Sequence, residues 1–311
     1  MNKDINQYEL EDSLLYRLRN RGKLAEMFNL PHNYFRTQYK LDIEYKSKHI
    51  QTGRNKKDRL VENPSKKLKN IQREILKYLS RIQTPDWIIS GKKGKSYIDN
   101  SKFHKDNSYV ITSDIMNFYP SCKKDYVYRM FRYTFRMSSD LATILTTLVT
   151  YNGGIPTGAP TSQMIAYWAY KDAFIRINEI ALKYNAKFSL YVDDMVFSSK
   201  STISKRMILE IKKELQKYNL SLKDNKTRKY GSKDYKLITG VVYDKNGELK
   251  IPNRLRKDII DGYNEIKKKK DNCNETDKKS LLGKIYSARQ IEPDAFSQLL
   301  HNVKKLSVNR R

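Results

Sequence analysis

The stretch KFSLYVDDMVFSSK, Lys187–Lys200, decides how the chain is read. Apolar residues alternate on both sides of Asp193 and Asp194, as in a half-buried β-hairpin with two acids at its turn. Adjacent carboxylates repel each other, and taken alone such a pair marks a solvated turn. A third carboxylate changes that reading. Asp114 interrupts the strand-like run YVITSDI, residues 109–115, with Val110, Thr112 and Asp114 on one face. An acid in an apolar strand is costly without a charge partner. If this strand lies beside the hairpin, three carboxylates converge and need a cation. Hard oxygen donors with no His or Cys beside them suit Mg²⁺ rather than zinc. Two such ions about 4 Å apart activate an attacking 3′-oxygen and stabilise a leaving pyrophosphate, as nucleotidyl transfer requires. The same residues also read as a surface turn and an unrelated buried acid paired to Lys.

The rest of the chain is basic. Its 311 residues carry 62 Lys and Arg against 34 Asp and Glu, a net charge of +28. Such an excess opposes compaction and finds its counterpart on a polyanion, which puts nucleic acid ahead of a membrane surface as partner. An AT-rich coding bias accounts for Lys over Arg, but not for the uncompensated charge. No apolar run approaches the roughly 18 residues of a membrane-spanning helix. The opening MNKDINQYELEDSL lacks the apolar core of a signal peptide. Cys122 and Cys273 form neither a metal-ligand spacing nor a disulfide framework. These features predict a cytoplasmic protein.

Periodicity predicts a helix over residues 9–30, then a basic stretch, 46–67, punctuated by Gly53 and Pro64. Leu68, Ile71, Ile75, Leu76 and Leu79 recur at helical spacing after it. Two long helical patterns, about 123–150 and 161–184, flank the turn-rich NGGIPTGAPTS, where Thr161 or Ser162 is placed to cap the second helix. A helix start beside a carboxylate–metal site can seat a nucleotide, though the loop also reads as a plain inter-helix turn. A helix over 203–218 precedes LITGVVYD and ELKIP, a short hairpin around Asn246 and Gly247, and the remainder is helical and Lys-rich. The order of elements predicts an α+β layer, an antiparallel sheet backed by helices.

SDIMNFYPS (Ser113–Ser121), IPTGAPTSQ (Ile155–Gln163), YVDDM (Tyr191–Met195), LSLKDNKTR (Leu220–Arg228) and ITGVV (Ile238–Val242) together resemble, in order, the palm motifs of reverse transcriptases. RLVENPSKKLKNIQREIL (Arg59–Leu76) resembles the fingers motif of the bacterial enzymes. Within the superfamily the likeness is to the retron type. Asn100, Ser101 and His104 match its Asn-Ala-x-x-His pattern, and Ile238, Thr239 and Gly240 its Val-Thr-Gly, each with one conservative change.

The resemblance implies a right-hand polymerase. N-terminal helices and fingers occupy 1–110, a palm with fingers helices 111–245 and a helical thumb 246–311. It implies that Asp114, Asp193 and Asp194, with the Ile115 carbonyl, hold two Mg²⁺ ions, and that Lys226 protonates the departing pyrophosphate. Arg59, Thr157, Gly158 and Tyr119 would meet the incoming dNTP, Tyr119 rejecting a 2′-hydroxyl. Either Phe118 or Tyr119 is expected to be a core aromatic, and Arg59 also reads as part of a solvated basic loop. Asn100, His104, Thr239 and Gly240 would seat RNA, although His104 also reads as a polar residue closing a loop. Thr157 stands where the family places glutamine, Gln163 where proline is common, and Val192 where retron enzymes place alanine.

The implied activity is RNA-directed DNA synthesis on a structured noncoding RNA that is both template and primer, giving a branched RNA–DNA product (msDNA). Implied partners are that RNA, the RNA–DNA hybrid, dNTPs and a separate effector protein in anti-phage defence. No ribonuclease H, maturase or endonuclease segment fits within the chain. A defence-associated or group II intron-derived reverse transcriptase, and a catalytically silent RNA-binding scaffold, stand as alternatives.

Overall fold

Near the N-terminus the chain is less helical than its pattern predicts. The computed structural model describes residues 7–36, 41–52, 57–269 and 274–305, so Gly53, Cys273 and the end of the Lys267–Lys270 run lie outside it. A 3₁₀ turn at Leu10–Asp12 precedes α1 (Arg21–Met27), whose Asn20 cap accepts from the Lys23 amide. Leu15, Leu18, Leu24 and Phe28 still enter the core.

The basic stretch is not a loop. It forms a β-hairpin, β1 (Tyr45–Thr52) and β2 (Lys57–Pro64), with Ile50 opposite Arg59. Ser65 then caps α2 (Lys66–Leu79), accepting from the Leu68 amide, and Leu68, Ile71, Ile75 and Leu79 are buried. At the start of α3 (Tyr97–Lys102) the Asp99 carboxylate accepts from the Ser96 amide and hydroxyl.

After β3 (Tyr109–Asp114) and α4 (Phe118–Ser121), the first long helical pattern is broken. Following α5 (Lys124–Arg129) the chain loosens into a π-turn, Met130–Thr134, passes Arg136 at φ 53°, and restarts as α6 (Ser139–Val149). The second pattern divides at Tyr170 into α7 (Ser162–Ala169) and α8 (Lys171–Lys183). Tyr170 is fully buried, and its hydroxyl accepts from the Lys123 amide at 2.9 Å. Neither predicted cap serves α7. Thr161 makes no capping bond, and the Ser162 hydroxyl donates to the Pro156 and Ala159 carbonyls.

The central hairpin, β4 (Lys187–Tyr191) and β5 (Asp194–Ser199), leads into α9 (Lys205–Lys217) and β6 (Arg228–Tyr230). These strands make an antiparallel sheet in the order β4-β5-β3-β6. On one face Phe188, Phe197, Met195 and Ile111 pack into the core with Phe174, Ile177, Ile211 and Leu215 of α8 and α9. On the other, Val110 and Val196 meet Ile238 and Tyr243. The latter belong to a three-stranded meander, β7 (Lys236–Ile238), β8 (Val241–Tyr243) and β9 (Leu249–Lys250). LITGVVYD is therefore two strands rather than one. It turns at Thr239 (φ 47°) and Gly240 (φ 83°), a conformation glycine adopts freely and a β-branched residue does not.

The C-terminal helices α10 (Asn253–Lys269), α11 (Glu275–Arg289) and α12 (Ser297–Lys305) build their own core, Ile259, Ile266, Leu281, Ile285 and Val303, joined by Ile98 of α3. Among the described residues no helix is long and apolar enough to cross a membrane.

Phe197 has no exposed surface and stacks on Phe188 with ring centroids 5.1 Å apart. Phe197→Ala should cost about 3–5 kcal/mol of stability by chemical denaturation. A loss under about 1 kcal/mol would mean that this face is not the core that holds the sheet.

Candidate active site

Pairing of β3 with β5 sets Asp114 directly across from Asp194. Asp193 occupies the turn, where its carbonyl accepts from the Ile115 amide at 3.1 Å. One oxygen from each carboxylate lies within 4.8 Å of the others. Thr112, Asp114, Asp194 and Val196 line a cleft of about 260 Å³ with Thr239 and Gly240 on the meander side.

The turn itself is strained. Val192 and Asp193 connect the strands, and of the two only Val192 has a positive φ, 60°. That is the type II′ pattern, whose first central position favours glycine. A β-branched residue there costs about 1–3 kcal/mol, which its surroundings must offset. The Ser90 hydroxyl accepts from the Val192 amide at 2.8 Å, and Ile88 bridges to Leu190 on the same hairpin.

Positive charge reaches the cluster from the segment after α9. The Met116 amide donates to the Ser221 carbonyl and the Lys223 amide to the Asp114 carbonyl, laying residues 221–223 along the end of β3. The ammonium groups of Lys223, at 3.0 Å, and Lys226 then both donate to Asp114 Oδ2. Sequence reading named Lys226 but missed Lys223, although both stand in LSLKDNKTR. Burial pushes the Asp114 carboxyl up, but its bonds from Lys226 and Lys223 outweigh this and hold it below the usual range. Asp194 goes the other way. Burial, the hydrogen bond shared with Asp114 and the charge of Asp193 push it up to about 7. Asp193 is also raised, by burial and then by the charge of Asp114. Such a cluster carries more negative charge than it can keep ionised. An all-carboxylate donor set of this kind fits a hard divalent cation, which would take the place of the shared proton.

The neighbouring candidates separate into distinct places. Phe118, 5% exposed, packs on Phe174 and is the core aromatic. Tyr119 is half-buried beside the cluster, and burial followed by the charge of Asp193 raises its phenol. Thr157 and Gly158 dock against β2. The Thr157 hydroxyl donates to the Leu60 carbonyl at 2.8 Å and accepts from the Glu62 amide at 3.3 Å. A Cβ at Gly158 would lie 2.5 Å from the Glu62 carbonyl oxygen, so only glycine admits this approach. Arg59 is exposed on this hairpin, whose β2 strand is thereby held to the loop before α7. Asn100 and His104 are not at a surface: they are 0% and 1% exposed and offer RNA no atom in this conformation.

The family profile for reverse transcriptase (RNA-dependent DNA polymerase) matches residues 46–243, the segment that carries all three aspartates. The chain belongs to the reverse transcriptase family. It is 31% identical over 226 residues to the Retron Se72 reverse transcriptase of Salmonella heidelberg, covering 70% of this chain and 60% of that protein. Identity to the Retron Ec86 reverse transcriptase of Escherichia coli is 25% over 165 residues, covering 52% and 51% respectively. The chain thus spans between half and two thirds of these curated relatives. A telomerase from Candida albicans, solved with a fragment of telomeric RNA, superposes with a TM-score of 0.51 at 10% identity, over 86% of this chain and 56% of the telomerase. At that identity the likeness carries the fold alone. The matched segment contains the whole of the sheet β4-β5-β3-β6.

Asp194 binds its proton more tightly folded, at about 7, than at its ordinary value of 3.8. Its ionisation therefore destabilises the folded chain as pH rises between those values. Without divalent cations, Asp194→Asn should lose less melting temperature than the parent between pH 5 and pH 8. Parallel pH profiles would show that Asp194 is not held protonated by its neighbours.

Proposed function

We propose that this chain is an RNA-directed DNA polymerase of the retron type, making single-stranded DNA on a structured noncoding RNA that is both template and primer. The observation that carries the reading is the convergence of Asp114, Asp193 and Asp194 on a reverse transcriptase palm, with two lysines at its edge. The retron identity of its relatives supports the type. In this reading the fingers, palm and thumb run over 1–110, 111–245 and 246–311.

Two Mg²⁺ ions bound by the three aspartates and the Ile115 carbonyl would supply the charge neutralisation that nucleotidyl transfer needs. The protein's own part is placement. Tyr119 forms a floor beside Asp193 under the sugar of the incoming dNTP, where a 2′-hydroxyl would be crowded. Arg59, on the hairpin held by Thr157 and Gly158, reaches for the triphosphate. Lys226 brings an ammonium to the cluster and would give one of its protons to the leaving pyrophosphate, keeping a neutral amine. The Lys-rich C-terminal helices follow the backbone of the RNA–DNA hybrid. The reading extends to a cytoplasmic setting, a branched RNA–DNA product and an anti-phage role with a separate effector protein.

Purified protein supplied with its structured RNA, dNTPs and Mg²⁺ should make DNA. Asp193→Asn should lower synthesis at least about 100-fold, beyond what loss of an outer-shell partner costs. Synthesis by that variant at the parent rate would sink the metal-site assignment. Tyr119→Ala should raise ribonucleotide incorporation relative to deoxynucleotide, scored by alkali-sensitive cuts in the product. An unchanged ratio would return Tyr119 to the core with Phe118.

A further inference from the structure

Asn100 and His104 are buried, yet each makes two side-chain hydrogen bonds, and together these form one chain with a fixed direction. The Ser189 hydroxyl donates to Asn100 Oδ1 at 2.7 Å. A hydroxyl has one proton, so Ser189 must accept from His104 Nε2, also at 2.7 Å. That makes His104 the Nε2-protonated tautomer. Its Nδ1 then accepts from the Ser198 hydroxyl, whose oxygen accepts from Asn107 Nδ2, both at 2.7 Å. At the far end Asn100 Nδ2 donates to the Thr239 hydroxyl at 2.6 Å. With the Asn100 amide set this way and the ring neutral, every bond from Asn107 to Thr239 runs in one direction.

The ends of this chain are what give it a use. Ser189 and Ser198 lie on β4 and β5, the strands that flank Asp193 and, in β5, carry Asp194. Thr239 lies in the strained turn of the meander, which lines the same cleft as Asp114 and Asp194. A β-branched residue at φ 47° keeps that conformation only when something outside the turn holds it. Asn100 supplies that hold from behind, while Gly240 is exposed. The chain also does not ionise readily: burial, then the charge of Lys187, push His104 down to about 3. A fully bonded, neutral network in a low-dielectric interior is stiff. It also ties together the two short signatures of the retron likeness, Asn100–His104 and Thr239–Gly240.

We infer that His104 and Asn100 are positioning residues, which hold the Thr239–Gly240 turn at a set place relative to the Asp193–Asp194 hairpin and so set where a primer 3′ end lies. The inference rests on the polymerase reading above. The test uses the full chain, a short RNA template annealed to a DNA primer, and single-turnover extension. Thr239→Val removes the hydroxyl and keeps the branched shape; Thr239→Ser keeps the hydroxyl. The valine variant should extend at least about tenfold more slowly, as a displaced reacting atom does, with dNTP affinity within about twofold of the parent. The serine variant should stay within about twofold of the parent rate. Parent-like extension by the valine variant, an equal loss of dNTP affinity, or a serine variant as slow as valine would each overturn the inference. With only four histidines in the chain, ¹⁵N-histidine spectra decide the network separately. At pH 5 a ring should still be neutral and protonated on Nε2, and its absence refutes the chain. A parent protein that extends no primer defeats the polymerase reading itself, before any variant is compared.

Discussion

Three carboxylates with oxygens inside 4.8 Å of one another repel, and the surrounding structure depends on keeping them together. Register does the first part. Because side chains alternate with period two, the Asp114–Asp194 pairing that joins the acids also turns Val110 and Val196 towards the meander. The same alternation turns Phe188 and Phe197 into the helices. A slip by one residue would turn the acids into the helix-side core and the aromatics towards the meander. Burial of the opposite face thus holds the charges where they would not stay alone.

Charge balance does the second part. Lys223 and Lys226 keep Asp114 ionised, which leaves Asp194 to carry the shared proton. The cluster is therefore poised, one member committed to the charged form and another near its midpoint at neutral pH. Strain at Val192 belongs to the same device, since the tight turn brings Asp193 close enough to Asp114. Its backbone is held by Ser90, from a segment otherwise remote in sequence. What the carboxylates gain in reach, the scaffold behind them must supply in rigidity.

The triad was legible because an acid in an apolar strand has few structural explanations, and the ordered motifs supplied the palm around it. The β1–β2 hairpin was not, since Lys46, Lys48, Arg59 and their neighbours give solvent-facing strands no apolar alternation to read. The helix breaks at Met130–Thr134 and Tyr170 were hidden because apolar residues continue across both. Asn100 and His104 show a different limit. The family resemblance implied an RNA contact, but their partners Ser189, Ser198 and Thr239 lie 85 to 139 positions away along the chain, so nothing local marks them as buried. Lys223 was within view in its motif, and only the docking of residues 221–223 on β3 distinguishes it from a solvated lysine.

The central claim is that Asp114, Asp193 and Asp194 act as one cation site despite their distance in sequence. Direct binding of Mn²⁺, followed by electron paramagnetic resonance as pH is varied, tests it without turnover. Affinity should rise as pH passes about 7, where Asp194 gives up its proton, and Asp114→Asn should weaken binding at least about tenfold. Binding that is flat across that pH range and unchanged by Asp114→Asn would contradict the account.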